Sequence, residues 1–239
     1  MGHYYIDNLD IEMFKLGDEE HKHLIKVLRK QVGDRVQVTD GKGGIAEAEI
    51  VSIQKQESTL QLLNRQYEVG KRDFSLHIGV APTKNSNRIE WMVEKCVEIG
   101  IEKISLIITE RSERKHVDLP RLQRLSIAAL KQSSGTYLPV IEAIPLKQFF
   151  NALPSPTPKM LRMIAWCEDR SVTPHIAKLL SGNHSDIVLL IGPEGDFTAQ
   201  EVEMARAHQF QPIQLGNKIL RTETAAVYGC CAVSLFKNQ

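Results

Sequence analysis

The sequence predicts an α/β protein: a parallel-sheet domain preceded by a small β-barrel. Three observations predict it. Residues 1 to about 70 carry short strand-like runs separated by glycine turns. From Phe74 onward the period changes, and wholly apolar strands alternate with amphipathic helices. Between the two, Gln66 to Asp73 is polar and holds Gly70-Lys71-Arg72, the composition of a linker. The expected domains are therefore 1–70 and 74–239.

In the first domain, Glu19 to Lys30 reads as a helix with an apolar stripe of Leu24, Val27 and Leu28. Val36 to Val38 is a short strand closed by the turn Asp40-Gly41-Lys42-Gly43-Gly44. Ile45 to Ile53 alternates and reads as a strand, and Leu60, Leu62 and Leu63 mark another. In the second domain, strands are expected at Phe74–Val80, Ile101–Ile108, Met160–Trp166, Ile187–Ile191 and Pro212–Leu215. Helices are expected at Ser86–Ile99, Leu119–Lys131, Thr173–Leu180, Thr198–His208 and Thr222–Phe236. Asn151 to Lys159, with Pro154, Pro156 and Pro158, reads as an irregular loop.

Composition excludes several classes. Of 239 residues, 42% are hydrophobic and 25% charged, the balance of a globular protein. No apolar run approaches the roughly 20 residues of a membrane helix, and Met1 to Asp10 has no signal-peptide core. The reading is a cytoplasmic protein with no membrane partner. Cys96, Cys167, Cys230 and Cys231 lack metal-ligand spacing, so reduced core thiols and no metal are expected. The net charge of +1 rules out a bulk polycation. Yet Lys103 to Lys131 holds seven Lys/Arg against three Asp/Glu, either a local phosphate-binding patch or a solvated helix face.

Two strand-to-helix junctions near the C-terminus stand out. In the first, Ile187–Ile191 runs into Gly192-Pro193-Glu194-Gly195. Thr198 to Glu201 then has the spacing of a capping box. In the second, Pro212–Leu215 runs into Gly216-Asn217-Lys218, and Arg221-Thr222-Glu223 opens the last helix. Ala225, Ala226, Gly229, Cys230 and Ala232 leave that helix a small-residue face for close packing. Open α/β sheets bind ligands at such carboxyl edges. Neither loop is a dinucleotide fingerprint or a P-loop, and Glu194 disfavours a pyrophosphate. Read from residues alone, a glycine after a strand is more often only a turn.

The string Gly192-Pro-Glu-Gly195, Leu215-Gly216, Ile219-Leu-Arg-Thr-Glu-Thr-Ala225 resembles the C-terminal signature of the RsmE family of 16S ribosomal RNA uridine-N3 methyltransferases, within the SPOUT superfamily. His23-Leu-Ile-Lys-Val-Leu-Arg29 with Val32-Gly33-Asp34 is similar to that family's N-terminal motif. Lys84, Arg88 to Lys95, Glu98-Ile-Gly100, Thr109-Glu-Arg-Ser112 and Gln132-Ser133 match in order, so the resemblance covers nearly the whole chain. It departs in two places. Ser134-Gly135-Thr136-Tyr137 replaces the family's frequent glycine and arginine, which removes a basic RNA contact there. Asp196 stands where many relatives have a second glycine, a change expected to be tolerated.

The resemblance implies a PUA-like barrel followed by a SPOUT domain with a C-terminal trefoil knot that nothing in the hydrophobic pattern reveals. It implies S-adenosyl-L-methionine as cofactor, ribosomal RNA or the small ribosomal subunit as partner, and a homodimer. Carried over, the cofactor residues are Leu190, Ile191, Gly192, Pro193, Glu194, Gly195, Leu215, Gly216, Ile219, Leu220, Arg221, Thr222 and Ala225. Arg221 is the candidate for stabilising the uridine anion, with an ion pair to Glu223 as the bland alternative. Glu194 and Glu223 are the candidate proton acceptors, although Glu223 also suits a helix-dipole role. His23, Lys26, Arg29, Lys84, Arg88, Arg111 and Arg114 are the expected RNA contacts. A SPOUT enzyme for another RNA, a nucleotide-dependent oxidoreductase and a non-catalytic ribosome-assembly protein remain alternatives at this point.

Overall fold

A computed structural model describes residues 2–166 and 171–237. The chain forms two compact units: Met1–Lys71 with Ile127–Leu138, and Arg72–Ser126 with Pro139–Gln239.

The first unit is built on a five-stranded sheet. Its elements are β1 (Tyr4–Tyr5), β2 (Met13–Leu16), α1 (Asp18–Lys22), β3 (Arg35–Thr39), β4 (Ile45–Ile53) and β5 (Ser58–Gln66), in the order β1-β3-β4-β5-β2. Burial alternates along β4: Ala46, Ala48 and Ile50 face the core while Glu47 and Glu49 pair with Arg35 outside. The Asp40 carboxylate closes the predicted turn by accepting the Lys42 and Gly44 amides at 2.8 and 2.9 Å. The expected helix over Glu19–Lys30 is corrected. It is one α-turn followed by a π-turn, His23–Val27, which Leu28 N–H closes onto the His23 carbonyl at 3.0 Å. That wider winding turns Val27 out to 66% exposure while Leu24 stays buried, so the predicted apolar stripe breaks. Strands β1 and β2 are too short for sequence periodicity to reveal.

The second unit is a parallel sheet with helices on it. Its elements are β6 (Ser75–Val80), α2 (Ser86–Ile99), β7 (Lys103–Ile108), α3 (Leu119–Ser133), β8 (Val140–Pro145), α4 (Leu146–Ala152), β9 (Met160–Ala165), α5 (Ile176–Leu180), β10 (Asp186–Ile191), α6 (Ala199–Ala207), β11 (Gln211–Ile213) and α7 (Thr222–Lys237). The strand order is β11-β9-β10-β6-β7-β8, with every pairing parallel. From Ile127 onward, α3 counts with the first unit. It ends in a Schellman turn: Gly135 N–H bonds Leu130 O, with Ser134 at φ +56°. The expected Thr173–Leu180 helix shortens to Ile176–Leu180, because His175 N-caps it after Pro174. Strand β8 and helix α4 went unread in the sequence, since Glu142 and Lys147 interrupt their apolar runs. Nonetheless Leu146, Phe149 and Phe150 of α4 are core residues.

Among the four cysteines, Cys96 and Cys230 are buried free thiols, Cys231 is exposed, and Cys167 lies outside the described residues. Among the described residues, no helix is long and apolar enough to cross a membrane, and no side-chain cluster has the makings of a metal site.

A polar chain crosses β6, β7 and β8. Ser105 Oγ lies 2.7 Å from His77 Nε2 and donates to Glu142 Oε1 at 2.6 Å, which Lys103 Nζ meets at 2.9 Å. Burial pulls the Glu142 carboxyl upward, but the bonds from Ser105 and Lys103 outweigh it and hold it below its ordinary value. Burial, then the Lys103 charge, pushes His77 down to about 4 against the opposing pull of Glu142. The unfolded chain therefore takes up a proton at His77 before the folded one does. Stability is full above about pH 6.5 and is lost as pH falls through about 4. His77→Phe is expected to flatten that acid limb in urea unfolding followed from pH 7 to pH 4.

Candidate functional site

Strand β10 is buried from Ile187 to Ile191 and delivers the chain to the carboxyl edge of the sheet. There the glycine loop turns sharply: Asp196 N–H bonds Pro193 O at 2.9 Å, with Asp196 at φ +61°. This is the position where the sequence departs from the pattern it resembles. Aspartate takes the left-handed conformation at modest cost, and its carboxylate accepts the Phe197 amide at 2.7 Å. Thr198 and Glu201 form the predicted capping box and start α6.

The second junction lies beside the first. Gly216 has φ +152°, a conformation open to glycine. Thr222 then donates its hydroxyl to Gly192 O at 3.0 Å, tying the start of α7 to the first loop. The small-residue face has its explanation here: a Cβ on Gly229 would stand 2.4 Å from Leu189 Cδ2, so α7 lies directly on β10.

Between the loops is a cavity of about 490 Å³. Of the expected cofactor residues, Ile191, Gly192, Pro193, Glu194, Leu215, Gly216, Ile219, Leu220, Arg221, Thr222 and Ala225 line it. Leu190 and Gly195 do not. Leu190 is a fully buried core residue of β10, and Gly195 turns outward, its carbonyl accepting Arg111 Nη1 at 2.7 Å. Sequence reasoning missed Ala165, Trp166, Ile213, Gln214, Asp196 and Lys218. The signal was the strand order, for β9 flanks β10 and brings Trp166 to the same edge. Arg206 sits 5.5 Å over the Trp166 ring and steadies that wall.

The charged candidates divide. Arg221 is exposed on the cavity lip, and the alternative reading, an ion pair with Glu223, is absent among the described residues. Glu223 is 6% exposed, does not line the cavity, and pairs with Arg88 at 3.6 Å. Of the two expected proton acceptors, only Glu194 faces the cavity. Arg114 donates to the carbonyls of Thr83 and Lys84, and Arg111 holds the glycine loop, so both guanidiniums fasten loops. Lys84 meets Glu113 at 2.9 Å, and that bond raises its pKa. In the first unit, His23, Lys26 and Arg29 are exposed on and beside the π-turn.

Glu201 links these loops. One carboxylate oxygen accepts the Thr198 amide, closing the cap, and the other accepts the Glu110 amide, each at 2.9 Å. Glu201 thus anchors the turn carrying Arg111 to the helix that ends the glycine loop. Glu201→Ala is expected to cost about 2–3 kcal/mol, the worth of a cap plus a charge-assisted bond. Urea unfolding checks the cost, and faster hydrogen exchange at the Glu110 amide checks the anchor.

Residues 71–234 match the family described as RNA methyltransferase domain, and residues 16–63 match RNA methyltransferase PUA domain. Ribosomal RNA small subunit methyltransferase E of Rickettsia conorii is 30% identical over 92% of this chain and 89% of its own length. A crystal structure of a probable rRNA-methyltransferase from Porphyromonas gingivalis superposes with a TM-score of 0.90 at 32% identity, covering 100% of this chain and 99% of that one. The small subunit methyltransferase E of Neisseria gonorrhoeae, solved bound to S-adenosyl methionine, has a TM-score of 0.81 at 26% identity, covering 98% and 97%. With its PUA-like half-barrel and SPOUT-like parallel domain, this chain belongs to the RsmE family of ribosomal RNA small subunit methyltransferases.

Proposed function

We propose that this chain methylates N3 of a uridine in 16S ribosomal RNA, taking the methyl group from S-adenosylmethionine held between the two glycine loops. The observation that carries the reading is the cavity at the carboxyl edge of β10, where every segment of the family's C-terminal signature converges. Its chemistry suits that cofactor. Ile191, Ile213, Leu215, Leu220 and Ala225, with Trp166, offer an apolar wall for a heterocycle, while Glu194 and Asp196 beside Lys218 and Arg221 offer both signs of charge to a ligand that carries a cationic sulfonium, an amine and a carboxylate. When bound, the cofactor supplies an electrophilic methyl on a sulfonium.

The chain's own residues supply the rest. Uridine N3 must shed its proton, which ordinarily leaves only well above neutral pH. Arg221, at the lip, stabilises the resulting anion in a site that partly excludes water. Glu194 is placed to accept the proton, and the Lys84 amide approaches its carboxylate at 3.4 Å. Glu223 anchors α7 through Arg88 instead. His23, Lys26 and Arg29 of the first unit meet RNA phosphates, and Lys84 and Arg88 of the second unit make RNA contacts of their own. The enzyme works in the cytoplasm, where its substrate is.

Arg221→Ala is expected to lower methyl transfer by about 10²–10³-fold, as for removal of one oxyanion-type donor. Its affinity for S-adenosylmethionine by calorimetry should move only a few-fold. Full transfer by this variant would refute the role. The family's homodimer extends to this chain through Trp91, Tyr228 and Leu235, apolar side chains exposed on α2 and α7, which pack together. Sedimentation should give twice the monomer mass, and Leu235→Glu should halve it.

A further inference from the structure

The first unit contains a second cavity, of about 700 Å³, that the methyl-transfer site does not use. Two stretches of the family signature far apart in sequence meet in it. His23 and Leu28 come from the N-terminal motif, and Gln132 comes from the Gln-Ser pair after α3. Nothing in the cofactor pocket accounts for either stretch.

The cavity's chemistry is that of a flat, uncharged ligand. Tyr4, Leu28, Val36 and Ala128 give it apolar surface. Its two strong cations are neutralised in place, Lys131 by Glu20 and Arg35 by Glu47 at 3.0 Å. With Glu19 also in the wall, a free phosphate is repelled, and no metal cluster exists among the described residues. Ring and amide groups supply directional bonding. The Tyr4 hydroxyl lies 3.1 Å from His23 Nδ1, with the two rings 6.0 Å apart. Burial, then the Glu20 charge, pushes Tyr4 up to about 12, so it stays a protonated donor. His3 lines the same wall, and its Nδ1 is enclosed without a hydrogen-bond partner among the described residues. Burial chiefly lowers the His3 pKa, keeping that ring neutral. Lys26, on the same turn as His23, and Arg29, next to Leu28, are exposed cations. A slot with aromatic and imidazole walls, whose lining acids turn phosphate away, is what an unpaired nucleotide requires: base inside, phosphates outside.

We propose that this cavity is a second RNA subsite, which takes one unpaired base of the substrate other than the methylated uridine. This rests on the RNA methyltransferase reading and adds a recognition element to it. The test is direct affinity of the full chain for a 16S ribosomal RNA fragment, by filter binding without cofactor, beside calorimetry with S-adenosylmethionine. Ala128→Phe fills the cavity, and Gln132→Leu removes an exposed amide that folding does not need. Both are expected to weaken RNA binding at least tenfold and leave cofactor affinity unchanged. Unchanged RNA affinity in both variants overturns the subsite. If uridine or adenosine monophosphate at millimolar concentration shifts the His3 and His23 ring resonances while the variants bind RNA normally, the cavity serves free nucleotides and the RNA assignment falls. A wild-type protein that binds the RNA but not S-adenosylmethionine defeats the parent reading alone.

Discussion

The methyltransferase unit depends on one close approach, that of α7 to β10. Gly229 permits it, because any side chain there would run into Leu189. The Thr222 hydroxyl then fixes the helix start on Gly192. Remove the contact and the second loop no longer faces the first, so the cavity between them loses a wall. The packing of one glycine thus sets the geometry of a binding site about two turns away, at the start of the helix. Such an arrangement tolerates little, since interiors this dense transmit a shift of a few tenths of an ångström.

Much of this was legible in the sequence. The bounds of β4 and α2 matched residue for residue, because one alternates in part and the other carries a full apolar face between Asn85 and Gly100. The capping box at Thr198 was read from spacing alone. Other features were hidden for physical reasons. A π-turn follows from how an apolar patch docks, and a window tuned to 3.6 residues per turn misplaces Val27. Trp166 reaches the cavity only because β9 lies next to β10, which strand order decides and local pattern does not. Glu223 looked like a candidate base through its neighbour Arg221, yet helix geometry turns it inward onto Arg88.

The basic residues show why charge counts mislead. Lys103 to Lys131 allowed either a phosphate-binding patch or a solvated helix face; Arg111 and Arg114 bond backbone carbonyls, and Arg121 pairs with Glu90 at 2.5 Å. Arginine suits this work, for its fixed fork can satisfy two carbonyls at once. The sequence shows the charge; the fold decides whether it faces a ligand or a loop.

The segment Ile127–Leu138 belongs with the N-terminal unit although more than fifty residues of the other unit precede it. The two units are therefore interleaved along the gene. Cutting the chain after Lys71, where the family boundaries invite it, yields neither piece whole: the front fragment lacks the strip bearing Lys131 and Gln132, and the back fragment carries that strip without its host. Domain shuffling by simple fusion is closed to such an architecture, which ties the inheritance of the PUA-like unit to that of the methyltransferase unit.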